Sequence, residues 1–205
     1  MKVIYLAAGQ SRRMGRKKVS MLFSGEALGL MALRTILRVP ETYMYVVVHA
    51  QDDLQWLAKD VKQQLFAGRG ELVVCENAQL GQSYSLIAGV KKAAEHNADK
   101  VMICLADQPF VTMDMIQTIM TESLADDEKY IACLHNGVIK PPVLLSSLLF
   151  HQIYRLNGDT GARKILQETG VKGKLVKFSD DELFADIDTI ADYIKYCSLL
   201  EGRIK

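Results

Sequence analysis

The chain has 205 residues, of which 49% are hydrophobic, with 25 Lys and Arg against 24 Asp and Glu and a formal net charge of +1. That length and apolar content suit one domain over residues 1–205 with a substantial buried core. The charge balance excludes a general electrostatic grip on nucleic acid, which needs a clustered basic face. No apolar run approaches the ~20 residues of a membrane span, and the N-terminus lacks the basic, apolar and small-residue layout of a signal peptide. The expectation is a cytoplasmic protein with neither nucleic acid nor a membrane as partner.

In chain order, Lys2 to Leu6 reads as a short buried strand that runs straight into LAAGQSRRMGRKK, Leu6 to Lys18. Small residues at Ala7, Ala8 and Gly9 let backbone N–H groups come close to an anion. Arg12, Arg13, Arg16, Lys17 and Lys18 then place charge where phosphate oxygens would sit. A solvated basic turn is the other reading of the same residues. Five residues separate Gly9 from Gly15, where a P-loop has four followed by Gly-Lys-Ser/Thr, and no G-x-G-x-x-G occurs, so both of those phosphate loops are excluded.

Further strand-like runs follow at Tyr43–His49, Glu71–Cys75, Val101–Leu105 and Tyr130–Leu134. Helical periodicity appears between them at Asp52–Phe66, with Leu54, Leu57, Val61 and Leu65 on one face, and at Tyr84–Glu95, with Leu86, Val90 and Ala94. Strands alternating with helices predict an α/β fold whose mostly parallel central sheet is flanked by helices. In such a sheet ligands bind beyond the carboxyl ends of the strands, which selects Ala7–Lys18, Asn77–Ser85 and Ala106–Pro109.

Within the second of these, ENAQLGQSYSLIAGV sets Gly81, Ser83 and Ser85 at a helix start, where backbone N–H groups and short hydroxyls suit a base, ribose or phosphate edge. In the third, Asp107 directly follows the apolar strand. Two roles are open to it: an oxygen ligand for a hard cation beside phosphates, or the cap of a helix beginning near Thr112. Asn136–Pro142 reads as a turn and a prolyl strand. Leu156–Thr169 reads as a loop and a helix, with Asp159 or Thr160 as its cap. Asp186 and Asp188, two residues apart on a strand, would face the same way, and a final helix spans Thr189–Leu200, with Asp188 or Thr189 as the competing cap. Cys75, Cys104, Cys133 and Cys197 form no C-x-x-C pair and read as inert thiols, and the four histidines lack ligand spacing, so zinc is given no role.

LAAGxSxRMGxxK, LADQPFV, DIDT with Asp192, the Gly81–Ser85 element and GDTGAR together resemble the molybdenum cofactor cytidylyltransferases of the MobA-like NTP transferase family, the type accessory to xanthine dehydrogenase. The likeness runs over nearly the whole chain and implies a Rossmann-like, GT-A-like nucleotidyltransferase that moves CMP from CTP to the terminal phosphate of molybdopterin and releases pyrophosphate. It implies nucleotide contacts at Leu6, Ala7, Ala8, Gly9, Arg13, Lys18, Gly81, Ser83 and Ser85. It gives catalytic roles to Lys18, Arg13 and Asp107, and Mg2+ ligation to Asp107 and Asp188. Lys140, which with Pro141 replaces the second Gly and the His of the relatives' G-x-x-G-H-P-V-L, joins Asp159 and Arg163 as an acceptor contact; an ion pair between the last two is the structural alternative. The implied partners are CTP, molybdopterin and a molybdenum hydroxylase such as xanthine dehydrogenase. The residue before Lys18, often Pro in that family, is Lys17. Other readings are another nucleotide such as GTP, a sugar phosphate acceptor, or a non-catalytic carrier of the cofactor.

Overall fold

The computed structural model describes residues 1–9, 14, 15 and 17–204. Seven strands form one sheet: β1 (Lys2–Leu6), β4 (Tyr43–His49), β5 (Gly70–Cys75), β6 (Lys100–Leu105), β7 (Glu128–His135), β8 (Val138–Ser146) and β9 (Lys172–Lys177), in the order β5-β4-β1-β6-β8-β7-β9. A small separate hairpin joins β2 (Leu22–Phe23) to β3 (Glu26–Ala27). β5, β4, β1 and β6 run parallel, β8 is antiparallel to both β6 and β7, and β9 returns parallel to β7. The chain leaves β1 toward β4 on one side and reaches β6 on the other, so the loops after β1 and β6 flank a topological switch point.

Helices cover both faces. On one lies α1 (Leu28–Leu37), which buries Leu28, Leu30, Leu33, Ile36 and Leu37 at helical spacing, with α2 (Lys59–Gln64) and α4 (Met113–Thr121). The other carries α3 (Gln82–Glu95), α5 (Phe150–Ile153) and α6 (Arg163–Leu166). α3 packs on β1, β4 and β5, and it comes so close that a Cβ added at Gly89 would stand 2.5 Å from Ile4 Cγ2 and 3.1 Å from Val47 Cγ2. The last helix, α7, spans Ile190–Ile204.

The expected strands are present, each within two residues of its predicted ends, but several local readings are corrected. The helix predicted from Asp52 begins only at Lys59, because Asp52 and Asp53 turn the chain first: Asp52 Oδ1 accepts from the Leu54 N–H at 2.8 Å, Asp53 Oδ1 from the Gln55 N–H at 3.1 Å, and Leu54 has φ 55°. Such side-chain to backbone bonds compete with helix. Asp159 caps no helix of its own segment, which forms only Arg163–Leu166, and Thr160 Oγ1 donates to the Asn157 carbonyl. Asp186 and Asp188 lie on an irregular segment that forms no strand.

The prolyl strand is central rather than at an edge. Asn136 and Gly137, both at positive φ, turn β7 into β8. Pro141 and Pro142 fall where the ladder skips from Ala132↔Val143 to Cys133↔Lys140, so their missing N–H groups lie in a bulge. Pairing of β8 with β6 stops at Ile103↔Val143, which opens the sheet beside the end of β6.

Gly89→Val puts branched carbon into the α3–sheet contact and is expected to lower the unfolding free energy by about 2 kcal/mol or more, as overpacking does. Chemical denaturation checks it.

Candidate active site

Beyond the carboxyl ends of β1 and β6 lies a cavity of about 800 Å³, lined by Leu6, Ala8, Gly9 and Lys18 on one side and by Asp107, Asp159, Arg163, Asp186 and Asp188 on the others. At its floor the Lys18 Nζ stands between two carboxylates, 2.8 Å from Asp107 Oδ2 and 2.9 Å from Asp188 Oδ1. Burial works against the charge on Lys18, but the charge and hydrogen bonds of the two aspartates outweigh it and raise its pKa above the ordinary lysine value. Burial likewise pushes the Asp107 carboxyl up, opposed by Lys18 and reinforced by Asp186 and Asp188. Asp107 Oδ1 is buried and has no hydrogen-bond partner among the described residues.

Neither aspartate side chain is used to cap a helix, because other residues do the capping. Thr112 Oγ1 accepts from the Met115 N–H and starts α4. Thr189 and Asp192 form a reciprocal capping box at α7: the Thr189 N–H donates to Asp192 Oδ2 at 2.8 Å, and the Asp192 N–H donates to Thr189 Oγ1 at 3.1 Å. Ile187, fully buried, donates its N–H to the Asp107 carbonyl at 3.0 Å. With Ile187 turned into the core, Asp186 and Asp188 on either side of it face the cavity, as their spacing implies even without a strand.

Asp186 belongs to a second polar group. Its Oδ1 accepts from Gln108 Nε2 at 2.8 Å and its Oδ2 from Lys140 Nζ at 3.2 Å. Lys140 is thus at the cavity edge through Asp186, carried there by the β8 bulge. Asp186 is expected from its spacing to face the same way as Asp188, while Gln108, inside the selected stretch Ala106–Pro109, has no expected role; its signal is its place next to Asp107 after a buried strand. Lys17 points away from Lys18, toward Asp52 and Asp53 at 3.8 Å each and the Gln51 carbonyl at 3.3 Å. Arg13, with Arg12 and Arg16, lies outside the described residues.

The α3 start is arranged differently from expectation. Gly81, at φ 134°, approaches Gly158 so closely that a Cβ there would stand 2.2 Å from the Gly158 carbonyl carbon. The first N–H groups of α3 are already taken, Gln82 by Asp159 Oδ1 at 3.3 Å and Ser83 by the Gly158 carbonyl at 3.2 Å, and Ser83 Oγ donates to that same carbonyl at 2.8 Å. An anion therefore finds those amides occupied. Gly81 and Ser85 line the cavity while Ser83 does not, and Ala7 stands behind it with its N–H on the Val47 carbonyl. Among the described residues no ion pair joins Asp159 to Arg163; both instead line the cavity separately.

The donor set suits a hard cation that is shared with phosphates. Among the described residues no three or more His, Cys, Asp or Glu converge into a metal cage. What converges is the Asp107 and Asp188 pair, already facing one cationic group, and one or two carboxylates plus substrate oxygens are what magnesium takes.

Residues 3–173 match the family model described as the MobA-like NTP transferase domain. The chain is 34% identical over 192 residues to the purine catabolism protein PucB of Bacillus subtilis, covering 93% of this chain and 92% of that protein. Among solved structures it resembles the rv0371c homologue from Mycobacterium sp. strain JC1, with TM-score 0.78 at 20% identity over 100% of this chain and 98% of that one. It also resembles the manganese complex of Rv0371c from Mycobacterium tuberculosis, with TM-score 0.73 at 18% identity over 96% and 97%. No helix among the described residues is long and apolar enough to cross a membrane.

Removing the ammonium with Lys18→Met deletes the influence that opposes the upward shift of Asp107. The Asp107 carboxyl is then expected to titrate at higher pH than in the wild type, as read by carbon-detected NMR of the aspartate side chains.

Proposed function

Because the chain belongs to the MobA-like NTP transferase family, we propose that this nucleotidyltransferase, working as one domain over residues 1–205, moves CMP from CTP to the terminal phosphate of molybdopterin and releases pyrophosphate. The observation that carries the reading is Lys18 held between Asp107 and Asp188 at the floor of a cavity of about 800 Å³, large enough for a nucleotide and the phosphate end of an acceptor. The acceptor phosphate oxygen attacks the α-phosphorus in line, the bond to the β-phosphate oxygen breaks, and pyrophosphate leaves with the electron pair. An ionised phosphate needs no base, so positioning and charge stabilisation are the main contributions of the protein.

The parts divide accordingly. The Leu6–Gly9 backbone carries the nucleotide over the end of β1, and Gly81 and Ser85 contribute from the far wall, with Ser83 supporting that wall through Gly158. Lys18, with Arg13, neutralises the departing pyrophosphate. Asp107 and Asp188 would hold Mg2+, whose chemistry there is to offset the triphosphate charge. Arg163 offers a guanidinium to the acceptor phosphate, Lys140 reinforces that edge through Asp186, and Asp159 sets the wall by capping α3. The likeness to a purine catabolism protein supports a cytoplasmic role in supplying the cofactor to a purine-oxidising molybdenum hydroxylase such as xanthine dehydrogenase.

Pyrophosphate release is measured from CTP, GTP, ATP and UTP with Mg2+, with no acceptor, with molybdopterin or with a sugar phosphate, and molybdopterin binding is measured alongside. Release from CTP alone among the nucleotides, and only when molybdopterin is present, is the expected result. Release from a different nucleotide changes the base; release only with a sugar phosphate changes the acceptor; cofactor binding without any release makes the protein a carrier. In the same assay Asp107→Ala is expected to reduce release to background with the circular dichroism unchanged, and Lys18→Ala to lower kcat by about 10²–10³-fold, the usual loss for one charge-stabilising donor.

A further inference from the structure

His135, at the end of β7, takes no part in the chemistry just described, yet it is buried and both of its ring nitrogens have polar partners. Nδ1 lies 3.0 Å from the Phe178 carbonyl, which can only accept, so Nδ1 carries a proton and donates it. Nε2 lies 2.7 Å from Asp181 Oδ1, and Asn136 Nδ2 stands 3.0 Å from Nε2 and 3.2 Å from that same Asp181 oxygen. The ring stacks on Phe184 with centroids 4.8 Å apart and planes 23° from parallel. Phe178, Asp181 and Phe184 all belong to the segment that leaves β9 and, two and four residues after Phe184, presents Asp186 and Asp188 to the cavity.

We infer that His135 is a positioning residue: it fastens residues 178–184 to the end of β7 and thereby sets where Asp186 and Asp188 stand. Further holds on the segment are the packing of Phe178, Leu183 and Phe184 against the core and, beyond the turn, Gln108 and Lys140 on Asp186. Before the histidine contacts it has the Phe178 N–H on the Leu134 carbonyl at 3.3 Å, and after them the Ile187 N–H on the Asp107 carbonyl at 3.0 Å. Between those points the chain forms a short turn, Asp181–Phe184, capped by Asp180 through the Glu182 N–H. One side chain holding a carbonyl, a carboxylate and a ring fixes both the height and the rotation of that turn. Misplacement of a site group by as little as about 1 Å costs on the order of 100-fold in rate, so an anchor two residues from Asp186 bears on the reaction without touching it.

This rests on the proposed nucleotidyl transfer, and the test separates the two. Hydrogen exchange of the Ile187 amide in the free protein reads the docking of the segment independently of turnover. Calorimetry with Mn2+ alone reads the carboxylate pair, and pyrophosphate release reads kcat and KM for the triphosphate. His135→Leu, which keeps bulk but no polar contact, is expected to speed exchange at Ile187 by about tenfold with the β1 and β4 amides unchanged, a local opening. It should weaken Mn2+ binding, and lower kcat about tenfold with KM within about threefold. His135→Asn, which retains a donor near Nδ1, should recover most of the loss. Asp181→Ala, at a side chain 82% exposed, should show the same pattern at smaller size in a protein whose folding it does not threaten. Unchanged Ile187 exchange in both His135→Leu and Asp181→Ala, or faster exchange spread equally over β1 and β4, overturns the inference. A wild type that releases no pyrophosphate while His135→Leu still frees Ile187 overturns the proposed function and leaves the anchor standing.

Discussion

One ammonium group ties this structure together at its working end. Lys18 is 89 residues from Asp107 and 170 from Asp188, and its Nζ is the point at which the loop after β1, the turn after β6 and the segment before α7 meet. Carboxylates gathered at the end of a sheet repel one another and resist desolvation. A cation between them relieves both costs, while its own burial is offset by their charge. The net contribution of such a pair to stability is small, because desolvation cancels much of the attraction. Its consequence is geometric, since three distant stretches of chain acquire a common origin.

That arrangement depends on capping being done elsewhere. An aspartate following a strand or preceding a helix is ordinarily drawn to backbone N–H groups. Here Thr112 serves α4, the Thr189–Asp192 box serves α7, and Asp159 reaches across from another loop to serve α3. Asp107 and Asp188 are left with side chains directed at the cavity. The same distribution decides where a polyanion can go. With Gly158 and Asp159 seated on the first turn of α3, the Gln82 and Ser83 amides are already occupied, and an anion in the cavity meets Lys18 rather than that helix end.

Support for the site comes from behind it as well. The bulge that accommodates Pro141 and Pro142 ends the β6–β8 ladder at Ile103 and turns Lys140 toward Asp186, while Gln108, almost fully buried, holds the other oxygen of that carboxylate. Both groups act on the segment that His135 fastens further back. The irregular stretch from Phe178 to Asp188 is therefore held at each end and in the middle, which is how a region with no sheet partner presents two carboxylates in fixed positions.

Much of this was legible in the residues themselves. Buried strands of a parallel sheet are continuous apolar runs, so Val3–Leu6, Tyr43–His49 and Val101–Leu105 announce themselves without reference to anything distant, and the switch-point rule then directs attention to Gly9, Lys18 and Asp107. Local hydrogen bonding defeated the periodic pattern at Asp52–Leu54, where apolar spacing indicated helix and two aspartate side chains made turns. A short strand with three lysines, β9, carries too little apolar signal to be read alone. The sequence by itself determined the alternation of strands and helices and singled out Gly9, Lys18, Asp107, Asp186 and Asp188 as residues beyond the strands, because each is a property of neighbours along the chain. Only the tertiary structure decided that Lys18 rather than Lys17 enters the site, that Asp159 closes α3, and that Lys140, Gln108 and His135 hold the segment bearing Asp186 and Asp188. Those contacts join side chains many tens of residues apart, and no local spacing encodes them.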